Sequence, residues 1–375
     1  MTTGGHVLSR RSVFAPVDLE AAPEVNDVLT RIGVGRLVTD DVDSLFGRNE
    51  NWAGTTTVGV GVFVKRVSLD GGPEDAALRL ARSRSFAALI EEQGSRDLMS
   101  PQLIGFDTAS RVLVYRLLDN TRTFAELVSD DEADPALARR AGRATAALHS
   151  LDADGAEPPV DRSPFPFPSL GLMRALPLAG FMGLTFAETS LWQILHGDPV
   201  LARATERLRA AEDTAPVVPA HCDLRFDQFL RSDGDLYLTD GEEFRLADAA
   251  RDVGAMAGEW LYRAVTGLTG RDEEDLSPAD PTHEEIVARG VRELDRARPL
   301  ISAFWSGYRS VRPGDAELAV RATAFAGWHM IDRAMATAAR ASTLPAVARA
   351  AMGIGRNALL NPETFVSALG LEETG

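Results

Sequence analysis

His221-Cys-Asp-Leu-Arg-Phe-Asp-Gln-Phe-Leu230 and, shortly after it, Leu238-Thr-Asp-Gly-Glu-Glu-Phe244 decide how this chain is read. His221 to Leu230 and Leu236 to Asp240 are β-capable, and Arg231-Ser-Asp-Gly-Asp235 between them has a turn composition, so the pair is expected to form a hairpin. Asp223, Gln228 and Asp240 thereby gather carboxylate and amide oxygens into a short span of chain. An aspartate alone often caps a loop; the combined spacing is far more specific than any one residue in it.

Working outward, the next informative residue is Lys65. The chain holds 39 Lys and Arg residues, and Lys65 is the one lysine among them. A GC-rich genome explains the arginine bias, and on a surface the two residues are nearly exchangeable. In a crowded pocket they are not: a compact ammonium on a flexible stem makes a point contact to phosphate oxygens that a planar guanidinium does not reproduce. Lys65 lies in Thr57-Val-Gly-Val-Gly-Val-Phe-Val-Lys65-Arg-Val67, rich in β-branched residues and read as a strand over Val58 to Val67.

The rest of the pattern divides in two. Residues 1 to 117 mix strand-like runs, including Arg111 to Leu117, with a helical period from Pro73 to Gln93, which predicts a small α+β lobe. Residues 118 to 375 are mainly helical in period, over Ala136 to Ser150, Leu201 to Glu212, Ala247 to Val265, His283 to Tyr308 and Ala316 to Ala341. The proline-rich Gly155 to Pro168 reads as a surface loop, and the acidic Gly267 to Pro281 as a mobile excursion.

Composition narrows the function. With 375 residues and 45% hydrophobic content the chain can bury a sizeable core. A single cysteine, Cys222, excludes an internal disulfide framework and fits a reducing cytosol, and it reads as a small packed residue. Residues 1 to 15 lack the apolar stretch of a signal peptide, so a cytoplasmic location is expected. The most apolar segment, Leu170 to Leu195, is broken by Arg174, Pro177 and Glu188 and reads as packed helices, which leaves no membrane span. A net charge of −16 argues against nucleic acid or anionic membrane as partner.

Phosphoryl transfer needs a carboxylate to orient the attacking hydroxyl, oxygen ligands to hold Mg²⁺, and a positive charge on the nucleotide phosphates. Asp223, Asp240 with Gln228, and Lys65 supply these. The segment from Leu45 to Tyr262 resembles the aminoglycoside phosphotransferase and choline kinase branch of the protein-kinase-like superfamily. That resemblance implies a bilobal fold, ATP and Mg²⁺ as cofactors, Asp223 as catalytic aspartate, Asp240 as metal ligand and Asp252 as the buried aspartate bracing the catalytic loop. Gln228 stands where the family has a metal-binding asparagine, and Cys222 where it has glycine. His221 is read as a structural histidine. Gly47 and Gly54 bracket a polar stretch read as a phosphate-covering turn. The helix glutamate that pairs with the lysine in the family has no counterpart from Leu78 to Leu89, leaving Glu74 or Glu91 as substitutes. Glu242 and Glu243 are read either as contacts to a cationic substrate or as solvated loop charges. Trp260, Trp305 and Trp328 are read as core.

Within that superfamily, Arg48-Asn-Glu-Asn-Trp-Ala-Gly54, Glu242-Glu-Phe-Arg245, Ala250-Arg-Asp-Val-Gly254 and Gly258-Glu-Trp-Leu-Tyr262, with the 221–230 string, resemble the kinase subunit of class V, lexapeptide-type lanthipeptide synthetases. This implies phosphorylation of Ser or Thr in a ribosomal precursor peptide, with a separate HopA1-like lyase subunit eliminating the phosphate and a cyclase subunit as a further partner. A small-molecule kinase acting on an aminoglycoside or amino alcohol is the alternative. A pseudokinase scaffold is a second, which the joint retention of Lys65, Asp223 and Asp240 argues against.

Overall fold

A computed structural model describes residues 17–45, 47–267 and 282–372. The acidic 267–281 stretch read as an excursion lies, beyond Gly267, outside the described residues. Strands β1 (Leu37–Leu45), β2 (Glu50–Thr56), β3 (Gly61–Arg66), β4 (Leu103–Asp107) and β5 (Val112–Arg116) form one antiparallel sheet in the order β1-β2-β3-β5-β4. Helix α1 (Pro23–Arg31) packs on one face of it and α2 (Pro73–Gln93) on the other. The alternation of β3 decides where the lysine goes. Val62 and Val64 point into a core with Trp52 and α1, so Lys65 projects from the opposite face, towards α2.

Sequence punctuation fixes α2 well. Pro73 opens it after Gly72, whose φ of 87° suits glycine, and it stops at Gly94. The strand read from Val58 starts later, at Gly61, because residues 56–59 form a turn in which the Gly59 amide donates to the Thr56 carbonyl at 2.8 Å. Gly59 carries φ 80° there, and Val58 is left exposed.

The larger helical part contains β6 (Arg122–Thr123), α3 (Phe124–Ser129), α4 (Pro135–Leu148), α5 (Leu170–Arg174), α6 (Leu178–Phe181), α7 (Phe186–His196), α8 (Pro199–Thr214), β7 (Val217–Ala220), β8 (Phe229–Ser232), β9 (Asp235–Leu238), β10 (Arg245–Asp248), α9 (Ala250–Thr266), α10 (His283–Val311), α11 (Leu318–Ala338), α12 (Ala346–Leu360) and α13 (Pro362–Leu369). Its core runs from Phe86, Leu89 and Ile90 of α2 to the C-terminal helices and includes Trp260, Trp305 and Trp328, as the apolar periodicity predicted. Two predicted elements need correction. Of the His221 to Leu230 stretch only Phe229 and Leu230 are strand, the first half of β8. The helix expected from Ala247 begins at Ala250, since Arg245–Asp248 pair with β7 and Asp248 is held by Arg321 at 2.8 Å. The β8–β9 turn is as expected, with Asp233 and Gly234 both at positive φ. Leu170 to Leu195 does form helices, but their packing is partial: Leu178 and Met182 are each 76% exposed. None of the described helices is long and apolar enough to cross a membrane. The architecture is a protein-kinase-like bilobal fold, a sheet-rich lobe against a helix-rich one.

Candidate active site

Two small sheets present the polar loops. Strand β7 ends at Ala220 and delivers His221; the β8–β9 hairpin returns the chain to Asp240; β10 pairs back onto β7 and closes the base. Between β7 and β8 the backbone is a loop because its amides are taken by a side chain. Asp252, fully buried, accepts from the amides of His221 at 2.6 Å and Cys222 at 2.8 Å. Cys222 sits at φ 64°, a conformation that favours glycine and costs a side chain energy. The Asp252 bonds hold it there.

Asp252 also meets His149 Nε2 at 2.9 Å, and His149 Nδ1 meets the Tyr308 hydroxyl at 2.9 Å. Burial alone would raise the Asp252 carboxyl, but the bonds from His149 and His221 outweigh it and hold it below its usual range. Sequence reading had placed Asp252 and His221 as supports. It missed His149, whose only signal was a histidine closing a helix otherwise packed with alanine and leucine.

Asp223 follows Cys222 and is gripped by Arg225, whose Nη1 donates to both carboxylate oxygens at 2.7 and 2.6 Å. Asp227 in turn holds Arg225 at 3.0 and 3.1 Å. Burial pushes the Asp223 carboxyl up, with Asp240 adding to the rise and Arg225 opposing it. Arg225 was not singled out from sequence, although an arginine flanked at two residues on either side by aspartates is a visible pattern.

Across the site, Lys65 reaches Asp240 from 175 residues away, bonding its Oδ1, and meets Glu242 Oε2 at 2.9 Å. The lone lysine is buried, at 6% exposure. Burial by itself would lower its ammonium, but Asp240 and Glu242 overcome that and keep it charged. Glu74 and Glu91, the substitutes considered for a lysine partner, are both exposed. Carboxylates of the loop after β9, Asp240 and Glu242, take that place instead, and α2 contributes an arginine, Arg79, with no exposed surface. Glu242 and Glu243 are neither solvated nor free for a substrate: Glu243 pairs with Arg245 at 2.7 Å and Arg82 at 3.3 Å. Burial pushes Glu243 up to about 7 against the pull of those arginines, whereas Lys65 and Arg79 overcome burial to hold Glu242 down at about 2.

Asp240 adopts a left-handed conformation, φ 65° and ψ 52°, which turns the chain sharply between β9 and Gly241. Gly241 is required there, because a Cβ would lie 2.3 Å from the Phe86 ring on α2. The Gln228 carbonyl accepts from the Thr239 amide at 2.9 Å, which sets residue 228 beside the loop that carries Asp240. Gln228 is only 4% exposed, and none of the hydrogen bonds among the described residues involves its side-chain amide. Asp240 and Gln228 each carry a hard side-chain oxygen, and among the described residues no group of three or more His, Cys, Asp or Glu could hold a metal. That donor set fits a divalent cation completed by phosphate and water oxygens, not an all-protein cage. Gly47 lies in the turn between β1 and β2. Gly54 does not: it is within β2, where a Cβ would come 2.2 Å from the Asp41 carbonyl, so it serves strand packing.

Comparison with known proteins accords with this geometry. Residues 47–273 match the family model of the phosphotransferase enzyme family. Among solved structures, the chain is similar to amicoumacin kinase hAmiN in complex with AMP-PNP, Ca²⁺ and Ami, at 13% identity and TM-score 0.55 over 92% of this chain and 94% of that one. It is also similar to choline kinase LicA from Streptococcus pneumoniae, at 14% identity and TM-score 0.52 over 91% and 99%. A choline/ethanolamine kinase family protein from Mesorhizobium loti gives 17% identity and TM-score 0.51 over 94% and 99%. At such identities the likeness speaks for the fold alone. No curated protein matches the sequence.

Proposed function

This chain belongs to the phosphotransferase enzyme family, and from that premise we propose that it transfers the terminal phosphoryl group of ATP, bound with Mg²⁺, to an acceptor hydroxyl. The observation that carries the reading is the meeting of Lys65 with Asp240 across 175 residues of chain, on the loop that adjoins Asp223. Lys65 would contact nucleotide phosphate, and Asp240 with Gln228 would hold the cation, whose charge would offset that developing on the phosphates. Asp223, oriented by Arg225, accepts the hydrogen bond of the attacking hydroxyl and takes its proton. Asp252 fixes the loop from beneath.

For the acceptor, we propose Ser or Thr hydroxyls of a ribosomal precursor peptide, in a class V lanthipeptide pathway with a HopA1-like lyase and a cyclase as partner subunits. Support comes from the 48–54, 221–230 and 258–262 strings. The second reading is a small-molecule alcohol, favoured by the acceptors named for the solved relatives, choline and amicoumacin kinases. Intact mass spectrometry separates them. The purified chain with ATP and Mg²⁺ is given a short Ser/Thr-rich precursor peptide of the class V lanthipeptide type, with and without a HopA1-like lyase, and in parallel choline and an aminoglycoside. Phosphate added to the peptide and removed by the lyase supports the first reading. Phosphate on the small molecules alone supports the second, and no ATP-dependent mass gain on any acceptor counts against both.

A further inference from the structure

We propose that Glu242 is the positioning residue for the Lys65 ammonium, and that Asn49 ties this pair to the β1–β2 turn. The inference rests on the phosphotransferase reading and deepens it. An ammonium on a four-carbon stem needs a fixed carboxylate to hold one geometry. Lys65 has two, and they differ in access. The Asp240 side chain is 28% exposed and is assigned to the cation, whereas that of Glu242 is 6% exposed and enclosed by protein. Glu242 is thus the partner that stays when Asp240 is engaged elsewhere.

Glu242 is itself held from two other directions. Its Oε2 accepts from Asn49 Nδ2 at 2.8 Å and lies 3.7 Å from Arg79 Nη1. Arg79 is fixed by Asp75 at 2.9 Å, by Asn49 Oδ1 at 3.1 Å and by the Ser68 carbonyl. The result is an alternating row of charge, Lys65, Glu242, Arg79 and Asp75, in which β3 supplies the first member, the loop after β9 the second and α2 the last two. Asn49 belongs to the turn that follows Gly47, and its Oδ1 also accepts from the Ser68 amide at 3.0 Å. The turn, the lysine strand, α2 and the metal loop are therefore joined through two side chains.

The test is calorimetric binding of ATP with Mg²⁺ and no acceptor, alongside the Michaelis constants of both substrates. Glu242→Gln should weaken nucleotide binding by about tenfold or more, the scale of a charged hydrogen bond, and leave the acceptor constant in place. Glu242→Asp should recover part of that loss. If Glu242 merely neutralised the buried Arg79, then Glu242→Gln/Arg79→Met, which removes both charges, would bind as the unaltered protein does. The proposal instead requires that this double variant regain resistance to urea but not nucleotide affinity. Wild-type affinity in the double variant, or in Glu242→Gln itself, overturns it. An unaltered protein that binds no nucleotide overturns the phosphotransferase reading first, a distinct outcome.

Discussion

Residues 217–252 and residues 170–196 are built in opposite ways. In the first, the buried carboxylates are held by side chains from distant elements: Asp252 by His149, Glu242 by Lys65 and Arg79, Glu243 by Arg82. In the second, α5, α6 and α7 are anchored by a few buried side chains, Met173, Ala187, Leu191 and Leu195, and by the Thr185 hydroxyl on the Ala338 carbonyl at 3.1 Å. Their other face leaves Leu178, Met182 and Phe186 at 76%, 76% and 71% exposure. A preorganised electrostatic site cannot lose a member cheaply, since each removal strands a buried charge. A surface held by a few apolar anchors can change its outer face at little cost to the fold.

The largest effect expected from this contrast is at Asp223. Asp223→Asn should lower phosphoryl transfer by about 10²- to 10⁴-fold with nucleotide binding retained, measured as turnover against calorimetric affinity; comparable turnover would remove its assigned role. Next comes Asp252→Ala, which strands the His149 and backbone donors and should cost about 3–5 kcal/mol in urea unfolding. The sign of its pH dependence follows from its depressed carboxyl. The folded state binds that proton less tightly than the unfolded state, so the stabilisation is present above the ordinary value of 3.8 and lost as pH falls below it. The variant should flatten that acid limb.

Lys65→Arg keeps the charge but not the point contact, and should weaken nucleotide binding by about tenfold. Unchanged affinity would make the lone lysine an accident of codon usage. The smallest effect is expected on the other side of the comparison. Leu178→Ser with Met182→Ser should move stability by no more than about 0.5 kcal/mol each and leave nucleotide affinity as it was. A large loss would mean that these side chains are packed in solution.

What could be read from sequence follows the same division. The approach of Lys65 to Asp240 was legible because residue type and spacing mark both, the bracing position of Asp252 because the family resemblance implies it, and α2 because Pro73 and Gly94 punctuate it. Strands β1 and β2 were not, since Thr39, Asp40, Asp41, Asp43 and Ser44 blur the alternation in a strand exposed over most of its length. Nor was the partner of Lys65. Glu242 and Glu243 look alike in sequence, and only the approach of α2 to the metal loop, with Phe86 against Gly241, separates their roles. Helix α9 was read too early because the ion pair of Asp248 with Arg321, 73 residues on, has no local signature.

At the centre of the proposal stands the convergence of Lys65, Asp223 and Asp240 on a triphosphate and its cation. Calorimetric titration of ATP, with Mg²⁺ and again in chelator, tests it on the unaltered protein and on Asp240→Asn. Tight binding that requires Mg²⁺ in the former, and loses that requirement in the latter, is the predicted result. Binding that ignores both the cation and the substitution would contradict it.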